Sequence, residues 1–147
     1  MKVLSSGLPE VVGDNEDLAR FLTSSSYFSS IAIKPAAFLP NPKDGETSVF
    51  RHGGEPVDAL WRIGEEHVAG ERTVHGAAIF KARSARAANL DVKAQEPPPR
   101  HANITAWPLL PDDPALQKAR QKERAMLIAG NSTLVRRATD MESSVFF

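Results

Sequence analysis

EPPPRHANITAWP, residues 96–108, is the stretch on which the fold turns. Proline donates no ladder hydrogen bond and fixes its own φ, so Pro97, Pro98 and Pro99 make a stiff, extended segment that belongs at a sheet edge or outside it. Directly after them, Ala102, Ile104 and Ala106 alternate with Asn103, Thr105 and Trp107, the period of a strand with one buried face. The prolines are therefore expected to be a rigid lead-in that delivers HANITAW into a sheet at fixed register, with Ile104 in the core.

On the N-terminal side, TVHGAAIF is rich in small residues on both faces, as suits a central strand approached closely by other backbone. TSVFR and SSIAIK are also β-like, separated by PAAFLPNPKDGE, whose prolines and Asp44-Gly45 mark a loop. GDNEDLARFLTSS reads as a helix, because Asp14 can cap free amides and Leu18, Phe21 and Leu22 share a helical face. EPVDALWRIGEEHVAG is a clearer helix, with Pro56 in its first turn and Val57, Leu60, Trp61, Gly64 and Val68 at helical spacing. ARSARAANL suits a short helix. DDPALQKARQKERAMLIAGN carries its own start at Asp113-Pro114 and its own stop at Gly130-Asn131.

These elements predict a single α+β domain over residues 14–130, preceded by an N-terminal extension, 1–13, and followed by a C-terminal tail, 131–147. A small mixed sheet of about four strands, near 29–34, 47–52, 73–80 and 101–107, is expected to carry three packed helices near 15–24, 55–68 and 113–129.

The chain has 147 residues, enough for one core, and its 18 Lys and Arg balance 18 Asp and Glu. No long-range field draws it to nucleic acid or to an anionic bilayer, so neither is an expected partner. It has no cysteine, which removes thiolate chemistry and suits a reducing compartment. No apolar run has the length of a signal peptide core or a membrane span, and the expected location is the cytoplasm.

Among chemical groups, His52, His67, His75 and His101 are the natural acid–base candidates, since imidazole titrates near neutrality. His52 follows Arg51 and His101 follows Arg100; an arginine beside a histidine can hold an oxyanion while the imidazole moves a proton. SVFRHGGE resembles the Arg-His-Gly signature of the histidine phosphatase and phosphoglycerate mutase family, and TVHGAAIF its second-histidine strand. That family's boxes bracket most of an α/β domain, whereas 22 residues lie between His52 and His75 here, and some 50 precede His52. The spacing argues against membership. No His-x-x-x-His helix, nucleophile elbow or glycine-rich phosphate loop occurs, so neither metal nor cofactor is expected.

Two readings of function follow. The first is a non-catalytic accessory or interaction protein, a regulator or immunity-type partner, docking to another protein or to its own copy. Trp107, Lys118, Arg120 and the terminal Phe146 and Phe147 would be its contact residues. The alternative is a small metal-free enzyme acting on a phosphate- or nucleotide-bearing substrate. Arg51 and Arg100 would then bind the anion, and Arg51, His52, His75 and His101 would converge on one cleft.

Overall fold

The computed structural model describes residues 2–53 and 55–137. Six strands form one sheet: β1 (Asp17–Leu22), β2 (Thr47–Arg51), β3 (Gly76–Lys81), β4 (Asp91–Ala94), β5 (His101–Thr105) and β6 (Thr133–Arg136), in the order β4-β5-β2-β1-β3-β6. Every pairing is antiparallel, so the sheet is neither mixed nor limited to four strands. Among the described residues three α-helices accompany it: α1 (Val57–Gly64), α2 (Ala82–Ala87) and α3 (Pro114–Gly130). The chain is thus a small α+β fold, and among the described residues no helix is long and apolar enough to cross a membrane.

The register sorts the sheet into two faces. Leu18, Leu22, Val49, Ala78, Phe80, Val92, Ala102 and Ile104 meet α2, α3 and a 3₁₀ turn at Pro35–Phe38 in the larger core. On the opposite face Ala19, Phe21, Phe50 and Ala77 meet Leu60 of α1 in a smaller one. β1 lies between β2 and β3 and is buried on both sides, which is why its sequence has the spacing of a helix but forms a strand. A strand covered on two faces shows an apolar run instead of alternation, and Leu18, Phe21 and Leu22 then imitate helical spacing. The expected strand at 29–34 is irregular instead, with a single bridge between Phe28 and Ile33 and with Ile31 exposed.

The proline run is a hairpin turn: Gln95 directly follows β4, His101 opens β5, the two strands pair, and the Gln95 amide donates to the His101 carbonyl. β4 is the edge, so the prolines sit at the sheet margin as their missing amides require, but they join two strands rather than lead into one. Ile104 is fully buried. β4 and β6 were not foreseen, since DVKA and TLVR are four residues each and too short to show a period. β6 occupies part of the stretch read as tail. Gly76 permits its approach: a Cβ there would lie 2.5 Å from the Val135 carbonyl oxygen.

The N-terminal segment is tied down by charge. Arg51 is fully buried, and its Nε and Nη2 each reach the Glu16 carboxylate at 2.8 Å while Nη1 donates to the Pro9 carbonyl. Glu96 in the hairpin accepts hydrogen bonds from Ser5, Ser6 and the Arg100 amide. Burial raises the Glu16 pKa, but the Arg51 hydrogen bonds, the Gly13 amide and the Arg51 and Arg86 charges outweigh it, and the group titrates below its ordinary 4.5.

Two stability predictions result. Ile104→Ala should lower the unfolding free energy by about 2–4 kcal/mol in denaturant melts, the cost of a cavity in a closed core. Glu16→Gln should cost about 3 kcal/mol near neutral pH by leaving Arg51 buried without its carboxylate. Because the folded pKa of Glu16 lies below the unfolded one, the pair stabilises fully above about pH 4.5 and is lost as pH falls through the folded value. The gap in melting temperature between parent and Glu16→Gln should therefore close on acidification below that pH.

Candidate functional site

β1 and β2 pair only at Leu18–Arg51 and Ala19–Phe50, whereas β1 and β3 pair over six residues. Beyond Ala19 and Phe50 the first two strands part, and the opening is occupied by a side chain. Arg20 donates through Nη1 to the Ser48 carbonyl at 2.9 Å and through Nε to the Ala37 carbonyl at 2.8 Å. Thr47 ties the same 3₁₀ turn to β2 through the Phe38 carbonyl at 2.7 Å. The turn and Arg20 together hold the sheet open where a ladder would otherwise continue.

A cavity of about 520 Å³ lies at this opening, within the size range of small-molecule sites. Phe21 and Phe50 contribute apolar surface. Arg20, His67 and Arg72 supply positive or titratable groups, and Asp44 and Glu46 supply carboxylates from the loop before β2. His67 comes from a π-helical turn, Glu65–Ala69, that continues α1, and its ring stacks on Phe50 with centroids 6.0 Å apart. Such turns are rare and frequent at functional positions. α1 can lie close to the strands because residue 64 is glycine: a Cβ there would stand 2.9 Å from the Phe21 ring.

Among the described residues neither Arg20 nor Arg72 meets a carboxylate; their hydrogen bonds go to the backbone carbonyls of Ala37, Ser48 and Val68. Burial draws the Arg20 guanidinium below its ordinary pKa against an opposing pull from Tyr27, and the charge of Arg72 acts in the same direction as burial. The two carboxylates have other partners. Asp44 accepts from the Glu46 amide, and Glu46 accepts from Asn103 Nδ2 at 3.1 Å. The cavity therefore offers two guanidiniums and two carboxylates, none of them ion-paired among the described residues, beside an aromatic surface.

The residues expected to converge do not. Arg51 is sealed against Glu16 and cannot meet a ligand. Arg100 closes the end of β2, donating to the Arg51 and His52 carbonyls and pairing with Glu55 at 3.4 Å. Gly53 adopts φ +52°, and a Cβ there would lie 2.9 Å from Arg100 Nη2, so the chain after His52 turns beneath an arginine. The His52 amide bonds to Asp17 and the His75 amide to Leu22, at opposite ends of β1, about 17 Å apart at about 3.4 Å per residue. His52 Nδ1 is buried without a hydrogen-bond partner among the described residues. His75 packs its ring near Phe28.

Of these residues, His101 is the one whose side chain reaches residues that line the cavity, Ser48 and Phe50. It pairs with Phe50 across β2 and β5, which places Ser48 diagonally beside it on the same face. Ser48 lines the cavity, and its Oγ lies 2.7 Å from His101 Nε2; His101 Nδ1 lies 2.8 Å from the Gln95 carbonyl oxygen. Arg20, Ser48, His67 and Arg72 are the members of this site that the sequence did not single out for it, although His67 was noted as a titratable group. The π-helical turn and the parting of two strands leave no local signature.

The contact residues of the docking reading are scattered. Trp107 is buried, with Nε1 donating to the Ile104 carbonyl, because the chain leaves the strand at Ala106 with φ +66° and folds the indole inward. Lys118 and Arg120 are exposed on α3, Arg120 facing Glu123 at 3.7 Å. Phe146 and Phe147 lie outside the described residues. No three His, Asp or Glu among the described residues gather as a metal-binding group.

No family model, curated protein or solved structure matches the chain. The geometry of the cavity stands on its own, and it makes a first demand on the fold. Gly64→Ala should destabilise by about 1–3 kcal/mol through overpacking against Phe21, despite the better helix propensity of alanine, which offsets roughly 1 kcal/mol. Equilibrium unfolding of the variant measures the net effect.

Proposed function

We propose that the chain binds and acts on a small phosphate-bearing compound without a metal, through arginine and histidine side chains at the opening between β1 and β2. The observation that carries this reading is that Arg20 and Arg72 line one cavity and neither forms an ion pair with Asp44, Glu46 or another carboxylate among the described residues. A guanidinium fixed by two backbone carbonyls, as Arg20 is, loses little further freedom when a phosphate oxygen docks on it. Phe21 and Phe50 suit an apolar or ring-shaped remainder, and Asp44 and Glu46 suit its hydroxyl or amine donors.

A second reading, docking to another copy of the chain, draws on α3. Leu116 and Leu127 are 41% and 51% exposed and lie with Arg120 and Glu123 along one helical face. On this reading Leu127→Lys converts a dimer to a monomer in light scattering, and a monomeric parent protein removes it. Either role suits a cysteine-free cytoplasmic protein.

Titration with inorganic phosphate and adenosine monophosphate, followed by NMR, tests the first reading. Resonances of His67, Ser48 and Tyr27 should shift while those of His75 stay still. Arg72→Gln should weaken binding about tenfold or more, the equivalent of about 1.4 kcal/mol. Uniform silence of His67, Ser48 and Tyr27 at millimolar ligand would overturn the assignment.

A further inference from the structure

We infer that Ser48 is a nucleophile and His101 its general base, and that the cavity hydrolyses a phosphate monoester by way of a phosphoserine. This rests on the reading above for the anion site but adds a covalent step that the anion site alone does not require.

The argument starts from the hydrogen bonds of one imidazole. The Gln95 backbone carbonyl can only accept, so the nitrogen facing it at 2.8 Å, Nδ1 of His101, carries the proton. In the neutral ring Nε2 is then the free lone pair, and it faces Ser48 Oγ at 2.7 Å. The serine hydroxyl must donate. The tautomer that a base needs is thus imposed by a main-chain acceptor, which plays the part that a carboxylate plays in a three-residue system. The ring is further fixed against Phe50, edge to face at 5.2 Å.

The nucleophile stands where a substrate can reach it. Ser48 is exposed and lines the cavity, while its own carbonyl is gripped by Arg20 Nη1, so the guanidinium is anchored to the same residue that carries the hydroxyl. Nucleophile, base, orienting group and a fixed cation occur together, the combination that marks a covalent site. A solvated cross-strand Ser–His contact would need neither the cavity nor the arginines.

In the first half-reaction His101 Nε2 takes the Ser48 hydroxyl proton as Oγ forms a bond to phosphorus. The bond from phosphorus to the ester oxygen breaks, and the leaving alcohol takes the proton from Nε2. In the second, water attacks the phosphoserine and gives a proton to Nε2. The bond to Oγ breaks, Oγ recovers that proton, and inorganic phosphate departs. The guanidinium groups of Arg20 and Arg72 meet the charge on the phosphoryl oxygens. No oxidant, reductant or further reactant is needed.

An alkyl fluorophosphonate tests the nucleophile without knowledge of the natural substrate, since its phosphorus accepts Oγ and releases fluoride. Peptide mass mapping of the full chain should find the adduct on Ser48 and not on Ser24, Ser26 or Ser29. Inorganic phosphate should slow its formation, Ser48→Ala should remove it, and His101→Gln should slow it on the order of 100-fold. p-Nitrophenyl phosphate turnover should follow the same order, with circular dichroism confirming that both variants remain folded. No adduct at Ser48, or one formed as fast in His101→Gln, overturns the inference. If Ser48 stays unmodified while phosphate still shifts the His67 resonance, the covalent step fails and the anion site stands. If Ser48 reacts but phosphate neither binds nor protects, the dyad stands and the phosphate monoester assignment is overturned.

Discussion

The parting of β1 from β2 after the Ala19–Phe50 pair governs the rest of this molecule. A sheet that continued its ladder would have no cavity, and one that parted without compensation would bury unpaired carbonyls. Arg20 resolves the conflict by donating to Ser48 and Ala37 from the gap itself. The 3₁₀ turn at Pro35–Phe38 closes the larger core beneath, where Phe38 meets Phe80 edge to face at 5.3 Å. A side chain that stabilises the fold therefore also lines the candidate cavity. A charge held in place by carbonyls rather than by a carboxylate keeps its attraction for an external anion.

Phe50 is the second point on which several features meet. It belongs to the smaller core, touches Phe21 at 5.8 Å, and separates His67 from His101. Its pairing with His101 sets the register that puts Ser48 diagonal to the imidazole. A slip of one residue between β2 and β5 would send Ser48 and His101 to opposite faces, so the site is specified by the same register that buries Val49, Ala102 and Ile104. Arg51, next along β2, points to the other face and holds the N-terminal segment through Glu16.

The basic residues singled out by their neighbours in sequence make contacts that hold the fold, and those that line the cavity looked ordinary. Arg51 and Arg100 each adjoin a histidine, yet one is buried against Glu16 and the other caps the end of β2. Arg124 does similar work for α2, donating to the carbonyls of Ala88 and Asn89. Each Arg-His dipeptide straddles a strand end, with His52 just past β2 and Arg100 just before β5 at φ +70°, so adjacency in sequence does not aim the two side chains at one place.

The sequence by itself determined the α+β character, the helices at α1, α2 and α3, and the strands at β2, β3 and β5. These carry local causes: Pro56 and Asp113-Pro114 at helix starts, Gly130-Asn131 at a stop, and strict alternation through Ala102 and Ile104. It misled at β1, where burial on both faces erased the alternation, and it was silent at β4 and β6, whose four residues are too few to show a period. Only the tertiary structure decided where the candidate site lies. The contacts between Arg20 and Ser48, between Ser48 and His101, and between His101 and Gln95 span 28, 53 and 6 residues. They depend on strand order, register and the point at which two strands separate, and those are set by packing between segments that no local pattern encodes.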